Sequence, residues 1–151
     1  MKSFKVYEMT YMCPVTETTC IETVPYSSKF QEQYKNIYNA CYHEMREALE
    51  IKPYDFIQDA TFFDEGMENV YLLIEQGEII GSVALKVEEI DDLIVNPEYQ
   101  GQGFGKQLLL WALQNIQTEK VMLHVAAWNE RAVNLYKKCG FEITETIVIG
   151  D

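Results

Sequence analysis

The sequence is poor in the residues that build metal centres and disulfide frameworks. Its four cysteines, Cys13, Cys20, Cys41 and Cys139, include no C-x-x-C pair, and its two histidines, His43 and His124, lie far apart. That spacing argues against a zinc site or any other metal. A Cys13–Cys20 disulfide would require export, and nothing in the sequence suggests export, so the thiols read as free. No stretch approaches the roughly 18 consecutive apolar residues of a membrane span. The N-terminal MKSFKVYEMTYMC carries two lysines but lacks the apolar core of a signal peptide. A cytoplasmic location with no membrane partner is the resulting expectation. Basic residues are scarce too: 12 Lys+Arg against 24 Asp+Glu leave a net charge of −12. Binding a nucleic-acid backbone needs a broad basic face, so no nucleic-acid partner is expected.

What is present fits one domain. The chain has 151 residues, 48% hydrophobic and 24% charged, long enough to bury a core, with no repeats, low-complexity tract or linker. Charge is unevenly spread. Residues 1–99 hold 7 Lys+Arg against 19 Asp+Glu. Residues 100–140 reverse the sign, with Lys106, Lys120, Arg131, Lys137 and Lys138 against Glu119 and Glu130. A mildly basic segment inside an acidic chain points to a local anion site.

Periodicity predicts a mixed α/β order. Residues 4–9 half-alternate as a first strand, and 11–28, rich in Thr, Pro and Ser, read as loop. From Lys29 to Leu49 apolar residues recur at three- and four-residue steps, an amphipathic helix with Ser27-Ser28 as cap candidate. Residues 53–69 hold a short helix or a loop. Val70–Glu75 and Glu78–Val87 flank a Gln76-Gly77 hairpin turn, and Glu89–Val95 is a third strand stopped by Asn96-Pro97. A helix over Gly103–Gln117 and a strand over Lys120–Ala126 follow. A short helix capped by Asn129 and closed by Gly140 then leads to a last strand, Phe141–Ile149.

Between the third of these strands and the following helix lies QGQGFG, residues 100–105. As a Walker loop it fails twice, with Gln100 where glycine is required and Gln107 where Ser or Thr is required. As a dinucleotide fingerprint its third glycine comes one residue early. It does meet [RQ]-x-x-G-x-[GA], through Gln100, Gly103 and Gly105, between a strand ending in V-x-P (Val95, Pro97) and a helix. Downstream, Asn129-Glu130-Arg131-Ala132 is followed by Tyr136 and by Cys139-Gly140-Phe141. On these residues the sequence resembles the GCN5-related N-acetyltransferase (GNAT) superfamily, well over about residues 70–149 and by element order alone before that.

The resemblance implies one acetyltransferase domain over 1–151. Its expected fold is α/β (α+β): a mixed, mostly antiparallel sheet of six to seven strands, helices on both faces, and a V-shaped cleft between the fourth and fifth strands. It implies acetyl-CoA as co-substrate, an amine acceptor, transfer in a ternary complex, and a homodimer among the partners. The backbone of Gln100, Gly101, Gln102, Gly103, Phe104, Gly105 and Lys106 would cradle the pyrophosphate. A helix N-terminus offers unpaired N–H groups and the positive dipole end to such an anion. Ile94 and Val95 would close the strand beside the pantetheine arm, with a backbone N–H near Val95 polarising the thioester. Asn129 would contact the cofactor or merely cap its helix, and Ala132 would leave room for the arm.

Tyr136, two helical turns beyond Asn129, would protonate the departing thiolate, a role open to a phenol that stays protonated at neutral pH. For the general base, Glu89 comes first and Asp92 second; alternation puts Glu89 and Asp91 on one strand face and Asp92 on the other. Charged edge residues without catalytic duty are the competing reading. His124 lies in a strand core pattern and reads as structural. Cys139 has no histidine partner in view and does not read as a nucleophile.

The acidic first half, with Glu44, Glu47, Glu50, Asp55, Asp59, Asp64, Glu65 and Glu68, would favour a cationic acceptor, or would only keep the protein soluble. Tyr34, Tyr38, Tyr42, Tyr54, Phe56, Phe62 and Phe63 are expected mostly in the core. A catalytically silent acyl-CoA-binding module is the alternative to an enzyme. Tyr136 favours the enzyme, because pure binding needs no thiolate acid.

Overall fold

The computed structural model describes residues 2–150. Two antiparallel half-sheets meet along one line. The first has the order β2–β3–β4–β5, from Val24–Pro25 (β2), Val70–Glu75 (β3), Glu78–Leu85 (β4) and Ile90–Val95 (β5). The second has the order β6–β1–β7, from Met122–Ala126 (β6), Phe4–Tyr11 (β1) and Phe141–Ile149 (β7). β5 and β6 touch through the parallel bridge Glu89–Met122, with the Met122 N–H on the Glu88 carbonyl at 2.9 Å. Beyond that bridge they belong to separate ladders, which opens the V.

Helices cover both faces. α1 (Gln31–Ala48) buries Tyr34 and Ile37 with Leu72, Ile79 and Ile94. α2 (Phe104–Asn115) and α3 (Glu130–Lys138) close the opposite face, where Leu108, Leu109 and Val133 pack with Ile80, Val83 and Leu123. Among the described residues no helix is long and apolar enough to cross a membrane.

The N-terminal strand takes the central place of its half-sheet. Tyr7 and Met9 pair with Val125 and Leu123 on the core side, and the Tyr11 ring lies 5.3 Å from Phe141. β1 thus fills the interior between β6 and β7.

Several boundaries move. The expected helix start at Lys29 becomes a 3₁₀ turn, Ser28–Phe30, and Ser27, although extended in front of it, makes no side-chain cap bond. The 53–69 stretch contributes a 3₁₀ turn, Ala60–Asp64, whose start is held by Asp59 accepting from the Thr61 N–H at 2.9 Å. The stretch read wholly as loop, 11–28, also contains β2.

Candidate active site

The site forms where β5 ends. In the ladder with β4, Val95 faces Gly81 and Ile94 faces Ser82, while the Asn96 N–H bonds the Ile80 carbonyl at 2.8 Å. Antiparallel pairs alternate, so Val95 turns its own N–H and C=O away from β4, toward the gap left by β6. Two residues earlier the register slips. Ala84 pairs with Asp91, so Asp92 and Leu93 together oppose Val83, and Asp92 takes φ +45°. This β-bulge lets one strand present different faces before and after it.

The bulge corrects the expected alternation. Asp91 pairs with Ala84 on the α1 side, and Asp92 points to that side as well, accepting from Tyr42 Oη at 2.9 Å and Tyr38 Oη at 3.3 Å. Burial, then the charge of Asp91, raises the Asp92 carboxyl above its ordinary value. Lys86 holds Asp91 at 2.8 Å. Glu89 accepts from or donates to His124 Nδ1 at 2.9 Å according to protonation, and Glu8 lies 3.4 Å from the other ring nitrogen. His124 is thus exposed between two carboxylates, not a core residue as its strand pattern suggests.

The gap widens into a cleft of about 600 Å³. Of the residues singled out from sequence, Val95, Gln100, Gly101, Gly103, Phe104, Gly105, Lys106, Asn129, Ala132 and Tyr136 line it. Ile94 does not, because its side chain is buried under α1, and neither Gln102, Glu89 nor Asp92 lies in the lining. The glycine loop is bent as its composition requires: Gly101 and Gly103 have φ +81° and +88°, and Gly103 is the cap residue of α2. The first-turn residues Phe104, Gly105 and Lys106 border the cleft, so the unpaired amides of the helix start face it.

Arg131, from the first turn of α3, reaches across to within 3.8 Å of where a Gly101 Cβ would stand. Lys106 also borders the cleft, with its Nζ on Glu17 at 2.5 Å. Asn129 caps α3 through its Oδ1, which accepts from the Ala132 N–H at 3.2 Å, and it borders the cleft as well. Tyr136 is buried on the same side of α3, edge-on to Phe141 at 6.2 Å. Burial and, secondarily, the Asp91 charge push its phenol up to about 12, so it remains a proton donor at neutral pH.

From α1 come Cys41 and Glu44, and from the segments after β5 and β6 come Tyr99 and Trp128; of these four, Glu44 alone was singled out from sequence, among the acidic residues expected to favour a cationic acceptor. Arg131 left a trace there, as part of the basic segment and of the N-x-x-A motif. Of the eight acidic residues in the first half, Glu44 alone borders the cleft; Asp59 caps a turn, and Asp55 and Glu47 flank His43. Tyr34 and Phe63 are core as expected, whereas Phe56 and Phe62 are exposed and stack edge-on at 5.7 Å.

The chain is 30% identical over 116 residues to a spermidine N(1)-acetyltransferase of Vibrio cholerae, which covers 74% of this chain and 62% of that protein. It is 31% identical over 106 residues to the peptidyl-lysine N-acetyltransferase YjaB of Salmonella typhimurium, covering 70% and 67%. The chain therefore spans about two thirds of the length of these relatives. The fold is shared with the PaiA N-acetyltransferase of Thermoplasma acidophilum, solved in complex with coenzyme A, at TM-score 0.65 and 19% identity over 82% of this chain and 91% of that one. The sequence profile of the acetyltransferase (GNAT) family matches residues 32–141, and the chain belongs to that family.

Proposed function

We propose that the protein is an N-acetyltransferase that moves the acetyl group of acetyl-CoA directly to a primary amine, with residues 1–151 acting as one catalytic domain. The observation that carries this reading is the convergence of three features in one cleft: the glycine loop at the start of α2, the turned-out backbone of Val95, and Tyr136. These residues fit acetyl-CoA. Diphosphate oxygens suit the bare amides of Gly103 to Lys106, with Lys106 and Arg131 adding charge at the rim. The thioester supplies an acyl group already activated for attack. The Val95 N–H faces the cleft as a donor for the acyl oxygen, and Tyr136 offers a phenolic proton to the leaving sulfur.

The acceptor enters from the α1 side. That face carries Glu44, Asp91, Asp92, Glu89 and Glu8, opposite in sign to the Lys106 and Arg131 rim. Carboxylates outnumber cations around the V, since Glu17 holds Lys106 and Glu130 lines the cleft beside Arg131, and this excess favours an amine borne on a cation, in keeping with relatives named for spermidine and for peptidyl-lysine. Asp92 is the better placed base. Its raised carboxyl takes up a proton more readily than an ordinary one, and it lies three residues from Val95. Glu89 lies six residues away, about 20 Å along a strand.

The test is thiol release from acetyl-CoA with a panel containing spermidine, a lysine peptide and neutral primary amines. Turnover on a cationic amine is the expected result. Tight acetyl-CoA binding without turnover on any amine would instead mark a silent acyl-CoA-binding module.

Replacing both Lys106 and Arg131 by glutamine should weaken acetyl-CoA binding about tenfold, the equivalent of about 1.4 kcal/mol. Titration calorimetry at two ionic strengths should also show a flatter salt dependence for the double variant. Equal affinity at low salt would remove these cations from the donor site.

A further inference from the structure

The Val95 carbonyl, on the gap-facing edge of β5, is already taken. It accepts from the Cys41 thiol at 3.1 Å and from Gln100 Nε2 at 3.0 Å. A carbonyl oxygen has two lone pairs, so these two donors fill it. Cys41 comes from the middle of α1 and Gln100 from the glycine loop, so two separate elements converge on one backbone atom. The same peptide group is fixed at its other end by the Asn96 N–H on Ile80. Asn96 is itself buried, donating to the Ile79 carbonyl at 2.9 Å and accepting from the Glu98 N–H at 3.1 Å.

We infer that Cys41 is a positioning residue of the donor site, which with Gln100 occupies the Val95 carbonyl and leaves the Val95 N–H as the group that residue offers across the gap. An exposed strand edge normally offers a donor and an acceptor together, and an extended ligand can pair with both or slip in register. With the acceptor filled, an acyl-CoA arm meets only a donor at Val95, and the acyl oxygen is its natural partner. Cys41 thus sets register without touching the reacting atoms. Burial pushes its thiol up to about 11, so the S–H is kept as a donor at neutral pH.

This inference rests on the acetyl-CoA reading above, and its test separates the two. Cys41→Ala removes the donor and Cys41→Ser keeps one. For Cys41→Ala, kcat should fall about tenfold, because small misplacement of a reacting group is costly, while acetyl-CoA affinity measured by calorimetry stays within about twofold or tightens. Cys41→Ser should recover most of the lost kcat. In the free protein, the infrared S–H band assigned to Cys41 by difference against Cys41→Ser should lie at the low frequency of a hydrogen-bonded thiol. Acetyl-CoA binding by the wild type with equal kcat in Cys41→Ala, or an S–H band typical of a free thiol, would overturn the positioning role alone. Failure of the wild type to bind acetyl-CoA would overturn the proposed function and this inference with it.

Discussion

Tyr136→Phe is expected to lower kcat by about two orders of magnitude or more, the range for losing a positioned general acid. Acetyl-CoA affinity should stay within about twofold, because the ring that borders the cleft and packs on Phe141 is retained. The melting temperature should hardly move, since Tyr136 borders the cleft and its hydroxyl makes no hydrogen bond among the described residues. A loss confined to kcat therefore separates proton donation from packing.

The pH profile sharpens the test. A phenol held at about 12 stays protonated through the working range, so an alkaline fall in rate well below pH 11 belongs to another group. The same shift has a stability consequence of fixed sign. The folded phenol keeps its proton between about pH 10, where an unfolded tyrosine releases it, and about pH 12. Its contribution is therefore complete below about pH 10 and is lost as pH rises through that window; Tyr136→Phe should flatten this part of the unfolding profile. Wild-type kcat in the phenylalanine variant would remove Tyr136 from the chemistry.

That the glycine loop, Asn129 and Tyr136 would meet at one cleft was legible in sequence because the requirements are local and backbone-level. Glycines that must take positive φ, a cap residue, and a tyrosine two turns beyond that cap are fixed by spacing within one supersecondary unit. The place of β1 was not legible. Its alternation is plain, but its partners lie more than a hundred residues away, and nothing in an alternating strand says which edges it will join. The faces of Asp91 and Asp92 were misjudged for another reason. Strict alternation assumes an unbroken ladder, and the bulge opposite Val83 breaks it. His124 follows the alternation of its strand on the face opposite Leu123 and Val125, where it sits exposed between two half-buried carboxylates. Cys41 and Glu44 lie on an amphipathic helix whose period shows a buried stripe and not what lies across from it.

Gly140→Ala is expected to be the most damaging single-methyl change to the fold. Gly140 ends α3 at φ +97°, and a Cβ there would stand 2.1 Å from the Cys13 carbonyl oxygen and 3.0 Å from its carbon and from Tyr11 Cε1. The obstacle is backbone, which has no rotamer by which to move aside. The clash is built in because the Gly140 carbonyl accepts from both the Met12 and Cys13 N–H groups, at 2.9 and 3.0 Å. That double bond ties the end of β1 to the corner between α3 and β7, and so holds the N-terminal strand in the middle of its half-sheet.

Left-handed strain plus displacement of this contact should cost about 3 kcal/mol, and at this chain length each kcal/mol lowers the melting temperature by about 2–4 °C. Gly77→Ala provides the comparison. Its φ is +78°, but nothing lies within 4 Å of the added methyl, so only the backbone term of about 1 kcal/mol applies. Thermal melts of the two variants should therefore differ clearly, with Gly140→Ala the lower. Equal melting temperatures would mean that the β1 corner yields easily, and that the central position of β1 does not depend on a bare backbone at residue 140.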